Sequence, residues 1–131
     1  MIEENKIEQI IKENYKASFM NNSKWEKLIE NLTTEFDSIF IRYKLITRVE
    51  IKETIMYDAD FKPFFMEPIL YKEVEWIEIP SNVVQIQNKR VSRQVIAEAK
   101  QDIEKIESII NSIGVYEMDK DNGNLKIYGY K

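Results

Sequence analysis

The stretch from Tyr71 to Pro80, YKEVEWIEIP, constrains the fold of this chain more than any other. Val74, Trp76, Ile77 and Ile79 are strand-favouring residues. Under the two-residue period of a strand, Val74 and Trp76 fall on one face, and Ile77 and Ile79 fall on the other beside Glu75. A strand apolar on both faces belongs in the middle of a sheet, covered on both sides. Glu75 and Glu78 interrupt those faces. Three residues apart, they are expected to point to opposite sides, which rules them out as an acid–base pair on one face.

The flanking segments predict an α+β domain, a mainly antiparallel sheet packed by helices. A first helix is expected from about Glu3 to Ala17, where Ile7, Ile10, Ile11 and Tyr15 make one apolar stripe and Glu8 and Lys12 a favourable pair. Ser23-Lys24-Trp25-Glu26 fits a capping box opening a second helix, striped by Trp25, Leu28, Ile29, Leu32 and Phe36. From Ser38 the period becomes two. Ile39, Ile41, Tyr43 and Leu45 face one way, and Arg42 and Lys44 the other. Val49, Ile51, Ile55 and Tyr57 predict a second strand, with Glu53 a mismatch on its face. Asp58-Ala59-Asp60 reads as a turn, and Phe61 to Pro68 as an edge strand or irregular segment, because Pro63 cannot donate to a ladder. Val83, Val84 and Ile86 fit either a short strand or a packed loop. A long helix is expected from about Val91 to Ile113, striped by Val95, Ala99, Ile103, Ile106, Ile110 and Ile113 and stopped by Gly114. Val115 to Met118 and Leu125 to Tyr130 predict a closing hairpin that turns at Asn122-Gly123. The second layer over the central strand would come from the first helix or from another protomer.

Composition removes several chemistries. At 131 residues the chain is one domain, 1–131, with a core of its own. It has neither Cys nor His, so disulfides, thiolate catalysis, Cys-based metal sites and the commonest general base are excluded. The glycine-rich phosphate cradles and the nucleophile-elbow motif are missing too. The acidic start MIEENKIEQI has no apolar core of a signal peptide, and no apolar run approaches the roughly 20 residues that span a bilayer. A cytoplasmic, bacterial protein that binds neither membrane nor cofactor is the expectation.

The net charge is −4, and it is concentrated. Between Glu50 and Glu78 stand eight acids (Glu50, Glu53, Asp58, Asp60, Glu67, Glu73, Glu75, Glu78) and three lysines (Lys52, Lys62, Lys72), a net of 3 − 8 = −5. Such a field argues against nucleic acid and for a basic protein partner; equally, acids on an outer face can simply be solvated. Phe61, Phe64, Phe65, Met66, Tyr71 and Trp76 read either as core or as a binding patch rimmed by Asp58, Asp60, Glu67 and Glu73. Asp58 and Asp60, with Glu67 or Glu73, could hold a hard cation, but no EF-hand spacing accompanies them. Lys89, Arg90 and Arg93 are too few to argue for nucleic acid.

Three segments resemble a family of small uncharacterised bacterial proteins. MNNSKWEKLIE, from Met20, is similar to that family's Asn-x-Ser/Thr-Lys-Trp opening, YKEVEWIEIP to its Tyr-Lys-x-Ile-Glu-Trp-Ile/Val-Glu-Ile strand, and LKIYGYK to its closing Arg-Val-Tyr-Gly-Tyr strand. The matching residues are Asn22, Lys24, Trp25, Glu75, Trp76, Glu78, Tyr128 and Gly129. Residues 1–19 look like an added helical extension to a family-like core of 20–131, and the segment before the second motif is Phe-rich where the family pattern is Trp-rich. The resemblance implies a toxin-immunity role. The expectation is therefore a non-catalytic inhibitor that masks a basic toxin through Asp58, Asp60, Phe64, Phe65, Glu67, Glu73, Glu75 and Glu78. The alternatives are a self-associating module that dimerises through the N-terminal helix and the two-faced sheet, and, last, a carboxylate-dependent enzyme or metal protein.

Overall fold

The computed structural model of the protein describes residues 4–36, 38–56, 71–87 and 95–131. In chain order the elements are helices α1 (Glu4–Asn14) and α2 (Asn22–Glu35), strands β1 (Ile39–Leu45) and β2 (Ile51–Met56), a 3-10 turn (Tyr71–Glu73), β3 (Val74–Ile79), β4 (Asn82–Gln87), β5 (Val95–Lys100), α3 (Ile103–Ile113), β6 (Met118–Asp121) and β7 (Asn124–Tyr128). The fold is α+β. Five strands form one antiparallel sheet in the order β2-β1-β3-β7-β6, and β4 and β5 pair as a separate hairpin. The YKEVEWIEIP strand is the middle strand of this sheet.

One face of the sheet carries the main core. Ile39, Ile41, Tyr43 and Leu45 of β1 meet Val74, Ile77 and Ile79 of β3 and Leu125 and Ile127 of β7. The apolar stripes of α2 (Trp25, Leu28, Ile29, Leu32) and α3 (Ile103, Ile106, Ile110) cover them. Burying each such side chain stabilises the fold by roughly 1.5–3 kcal/mol, so this layer is the main source of stability. The capping of α2 differs from expectation. Asn21, not Ser23, is the N-cap, and its side chain accepts from the Lys24 amide at 2.8 Å. With the helix starting at Asn22, Glu26 lies beyond the reach of a capping box.

The long C-terminal helix is a correction. The expected helix from Val91 is a strand over Val95–Lys100, and α3 begins only at Ile103. Its N-cap is Asp102, whose carboxylate accepts from the Lys105 amide at 3.0 Å. The stripe of Val95, Ala99 and Ile103 is equally compatible with period two over VIAEAK, and β-branched Val95 and Ile96 tip it to a strand once β4 offers pairing. The uncertain Val83–Ile86 stretch is that partner strand. Gln101, between β5 and α3, ties the hairpin to the sheet: its carboxamide accepts from the Phe40 amide (2.8 Å) and donates to the Phe40 and Pro80 carbonyls (3.0 and 2.9 Å). The closing hairpin turns at Asn122-Gly123 as expected, with φ of 55° and 81°. The predicted second strand is found over Ile51–Met56, with Val49 before it, and Tyr57 lies outside the described residues. The Asp58–Asp60 turn, the Phe61–Pro68 segment and the Lys89–Arg93 basic cluster lie outside the described residues.

A register shift in β3 overturns the expected face assignment. Lys44 pairs with Trp76, yet Leu45 pairs with Val74, which makes Glu75 an extra residue in β3. This is a β-bulge, two residues opposing one. It turns Val74 to the helix side with Ile77 and Ile79, and leaves Glu75 on the same side as Trp76 and Glu78. Strict alternation would have sent Glu75 and Glu78 to opposite faces; the bulge puts them on one.

The chain ends close around this bulge. Gly129 and Tyr130 donate their amides to the Glu75 carbonyl (2.7 and 3.3 Å), and Phe19 donates to the Gly129 carbonyl at 2.9 Å. Gly129 is required here because a Cβ would run into the Val74 carbonyl. Ile7 of α1 is fully buried with Ile46 and Tyr130, and Ile10, Ile11 and Tyr15 pack on them, so the first helix spends its apolar stripe within its own chain. Gly129→Ala is expected to cost about 2 kcal/mol, the scale of forced overpacking, measured as a lower urea unfolding midpoint with an unchanged m-value.

Candidate functional site on the second sheet face

The face of the sheet away from α2 and α3 combines charge and aromatics. By register it presents Phe40, Arg42 and Lys44 from β1, Ile51, Glu53 and Ile55 from β2, Glu75, Trp76 and Glu78 from β3, and Lys126 and Tyr128 from β7. Arg42 sits between two acids: its Nε is 3.1 Å from Glu53 and its Nη1 3.4 Å from Glu78. Lys44 Nζ is 2.7 Å from Glu75 Oε1, and the same oxygen accepts from the Tyr15 hydroxyl at 2.6 Å. Further along, Lys126 Nζ stands 4.1 Å from the centroid of the Trp76 ring. Lys131 Nζ stands 4.5 Å from that of Tyr128 while pairing with Glu117 (3.0 Å) and Asp119 (3.5 Å). Trp76 is only 7% exposed. Partly desolvated charges beside it would be costly if left unpaired.

Burial, and then the bond to Glu75, pushes the Tyr15 hydroxyl well above the ordinary tyrosine range. Burial likewise pushes Tyr130 up to about 12, with Glu8 adding to it. The two rings lie 5.4 Å apart between α1 and the sheet. At neutral pH Tyr15 is a donor and not a base. It holds Glu75 from one side as Lys44 holds it from another. Chemically, the arrangement fixes two carboxylates in place and balances their charge.

The expected site residues separate. Glu75 and Glu78 come together on this face, each ion-paired. Glu73 lies in the 3-10 turn at 4% exposure, its carbonyl accepting from the Ile46 amide. Tyr71 and Trp76 fall on opposite sides of the sheet: Tyr71 stacks on Trp25 at 6.4 Å with the helix layer. Asp58, Asp60, Phe64, Phe65 and Glu67 lie outside the described residues. Arg42 and Lys44 were legible as an outward-facing pair. Glu53 and Glu78 reach Arg42 by ordinary register; the partner of Lys44 was not legible, because the bulge that delivers Glu75 leaves no mark in the hydrophobic pattern. Among the described residues, no cluster of three or more acids is placed to hold a metal ion, and no helix is long and apolar enough to cross a membrane.

The segments that carry the family resemblance meet at the bulged end of the sheet. Met20, Asn21, Asn22 and Trp25, Lys72, and Tyr130 line one cleft of about 20 Å³. That is room for about one water, not a metabolite. The Tyr130 hydroxyl donates to the Lys72 carbonyl at 2.8 Å, and the backbone at Gly129 approaches Trp25. The motifs therefore describe one packing unit. A sequence profile described as "Family of unknown function (DUF6678)" matches residues 7–131, beginning inside α1. No curated protein and no solved structure matches the chain.

The raised tyrosines set a pH dependence. The folded chain binds these protons more tightly than the unfolded chain, where tyrosine titrates near about 10. Their contribution is complete below that pH and falls as pH rises towards about 12, the value for Tyr130. The urea midpoint of the wild type is expected to drop through this window. Y15F should drop less steeply, and at neutral pH it should be less stable by about 1–2 kcal/mol, the scale of one hydrogen bond to a charged acceptor.

Proposed function

The chain belongs to DUF6678, a family of unknown function, and we propose that this member is a non-catalytic binding protein that masks a basic partner, as the immunity protein of a bacterial toxin does. The observation that carries the proposal is the acidic segment between Glu50 and Glu78, a net of −5 of which Arg42 and Lys44 of β1 offset two charges, interleaved with Phe61, Phe64 and Phe65, in a chain without His or Cys. Aromatics within an acidic rim suit capture of a basic surface, where electrostatic complementarity speeds encounter.

The ion pairs of the sheet narrow the binding residues. Glu53, Glu75 and Glu78 are matched by Arg42 and Lys44 of β1 and so serve the fold first. The partner contact rests on Asp58, Asp60 and Glu67 with Phe64 and Phe65, and the setting is the bacterial cytoplasm.

The test begins with co-purification of the tagged full-length chain from its source cells and isolation of a stoichiometric basic partner. Stopped-flow association with that purified partner is then expected to slow as salt rises. The triple reversal D58K/D60K/E67K should slow it at least about tenfold, with the unfolding transition unchanged. Association that ignores both salt and charge reversal contradicts the reading.

A further inference from the structure

α1 is held far more lightly than the other two helices. From Asn5 to Asn14 only one of its side chains, Ile7, is buried; Ile10 and Ile11 are half-buried and the rest are exposed. α2 buries five side chains and α3 three. Ile7 also lies in the small cluster with Ile46 and Tyr130, apart from the main core. The other ties of this segment are polar. The Tyr15 hydroxyl donates to Glu75 at 2.6 Å, and the amides of Lys16 and Ala17 donate to the Lys131 carbonyl (2.7 and 3.1 Å). The Glu8–Lys72 pair contributes little, because the Glu8 side chain is 65% exposed.

We propose that α1 and residues 15–18 open from the sheet as one unit while the main core stays folded, with the Tyr15–Glu75 hydrogen bond as the latch. Two features favour this opening. Lys44 keeps its 2.7 Å contact with Glu75 when Tyr15 leaves, so no uncompensated carboxylate is left behind. The chain is anchored again just past the break: Lys24 Nζ donates to the Phe19 and Val115 carbonyls (2.9 and 2.7 Å), and Asn21 caps α2. Once detached, the 11-residue α1 loses its helix, since isolated helices shorter than roughly 12–15 residues are marginal in water. Opening uncovers Ile46 and Tyr130 and releases the stripe of Ile7, Ile10, Ile11 and Tyr15. A ligand that binds either surface draws on this equilibrium, which makes the latch a point of control.

The test is native-state amide exchange of the full-length chain, resolved by residue, in rising urea below the unfolding transition. The amides of residues 8–14, with those of Lys16 and Ala17, are expected to exchange through one common opening. That opening should be at least about tenfold more populated, and less dependent on urea, than the one that exposes the slowest amides of β1 and β3. Y15F should speed exchange of the α1 amides about tenfold, the scale of a hydrogen bond to a charged acceptor. I110V, in the main core, should speed the β1 and β3 amides about fivefold and leave the α1 amides unchanged, because the core is intact in the open form. α1 amides that exchange only with the slowest sheet amides overturn the proposal. So do α1 amides that respond to I110V as the sheet does, or that ignore Y15F.

Discussion

The Lys44–Glu75 ion pair sits where α1, the central strand and the end of the chain meet. β1 delivers Arg42 and Lys44 to a face whose neighbours include a nearly buried Trp76, and charges there need partners close by. Glu78 and Glu53 flank Arg42 by ordinary register. Lys44 is answered only because β3 carries one residue too many, and the bulge swings Glu75 to its side. The same carboxylate then accepts from Tyr15, and its backbone carbonyl accepts from Gly129 and Tyr130. One bulged residue thus joins α1, the central strand and the end of the chain.

That arrangement explains why α1 and the last residues behave as part of the fold and not as loose ends. Ile7 fills a small second core with Ile46 and Tyr130, Glu8 reaches Lys72 at 2.9 Å, and residues 16–19 bond the backbone of residues 129–131. The family match begins at Ile7, so it takes in this helix with the sheet. The resemblance motifs at Trp25, at Tyr71–Lys72 and at Gly129–Tyr130 meet here as packing partners.

Much of the fold was legible in the sequence because its hydrophobic periods are clean. Ile39, Ile41, Tyr43 and Leu45 alternate, Ile103, Ile106 and Ile110 step as a helix, and Asn122-Gly123 marks a hairpin turn. Reading failed where two periods fit the same residues. Val95 and Ala99 suit a helix stripe or one face of a strand, and only pairing with β4 decides between them. It failed also at Glu75, because a bulge changes the face of a residue without changing its chemistry. Ser23 was expected to cap α2, but the helix starts at Asn22 and Asn21 caps it. Of the proposed binding residues, the acids that were readable as charge turned out to differ by context: Glu75 and Glu78 are paired within the sheet and Glu73 is buried.

The face on which Glu75 lies is tested most directly by a double-mutant cycle. Lys44→Met and Glu75→Gln, singly and together, would be compared by urea unfolding at neutral pH. The bulge predicts a coupling of about 1 kcal/mol between them, as for a close, partly buried pair. Additive effects of Lys44→Met and Glu75→Gln would place Glu75 on the other side of the sheet and contradict the bulge.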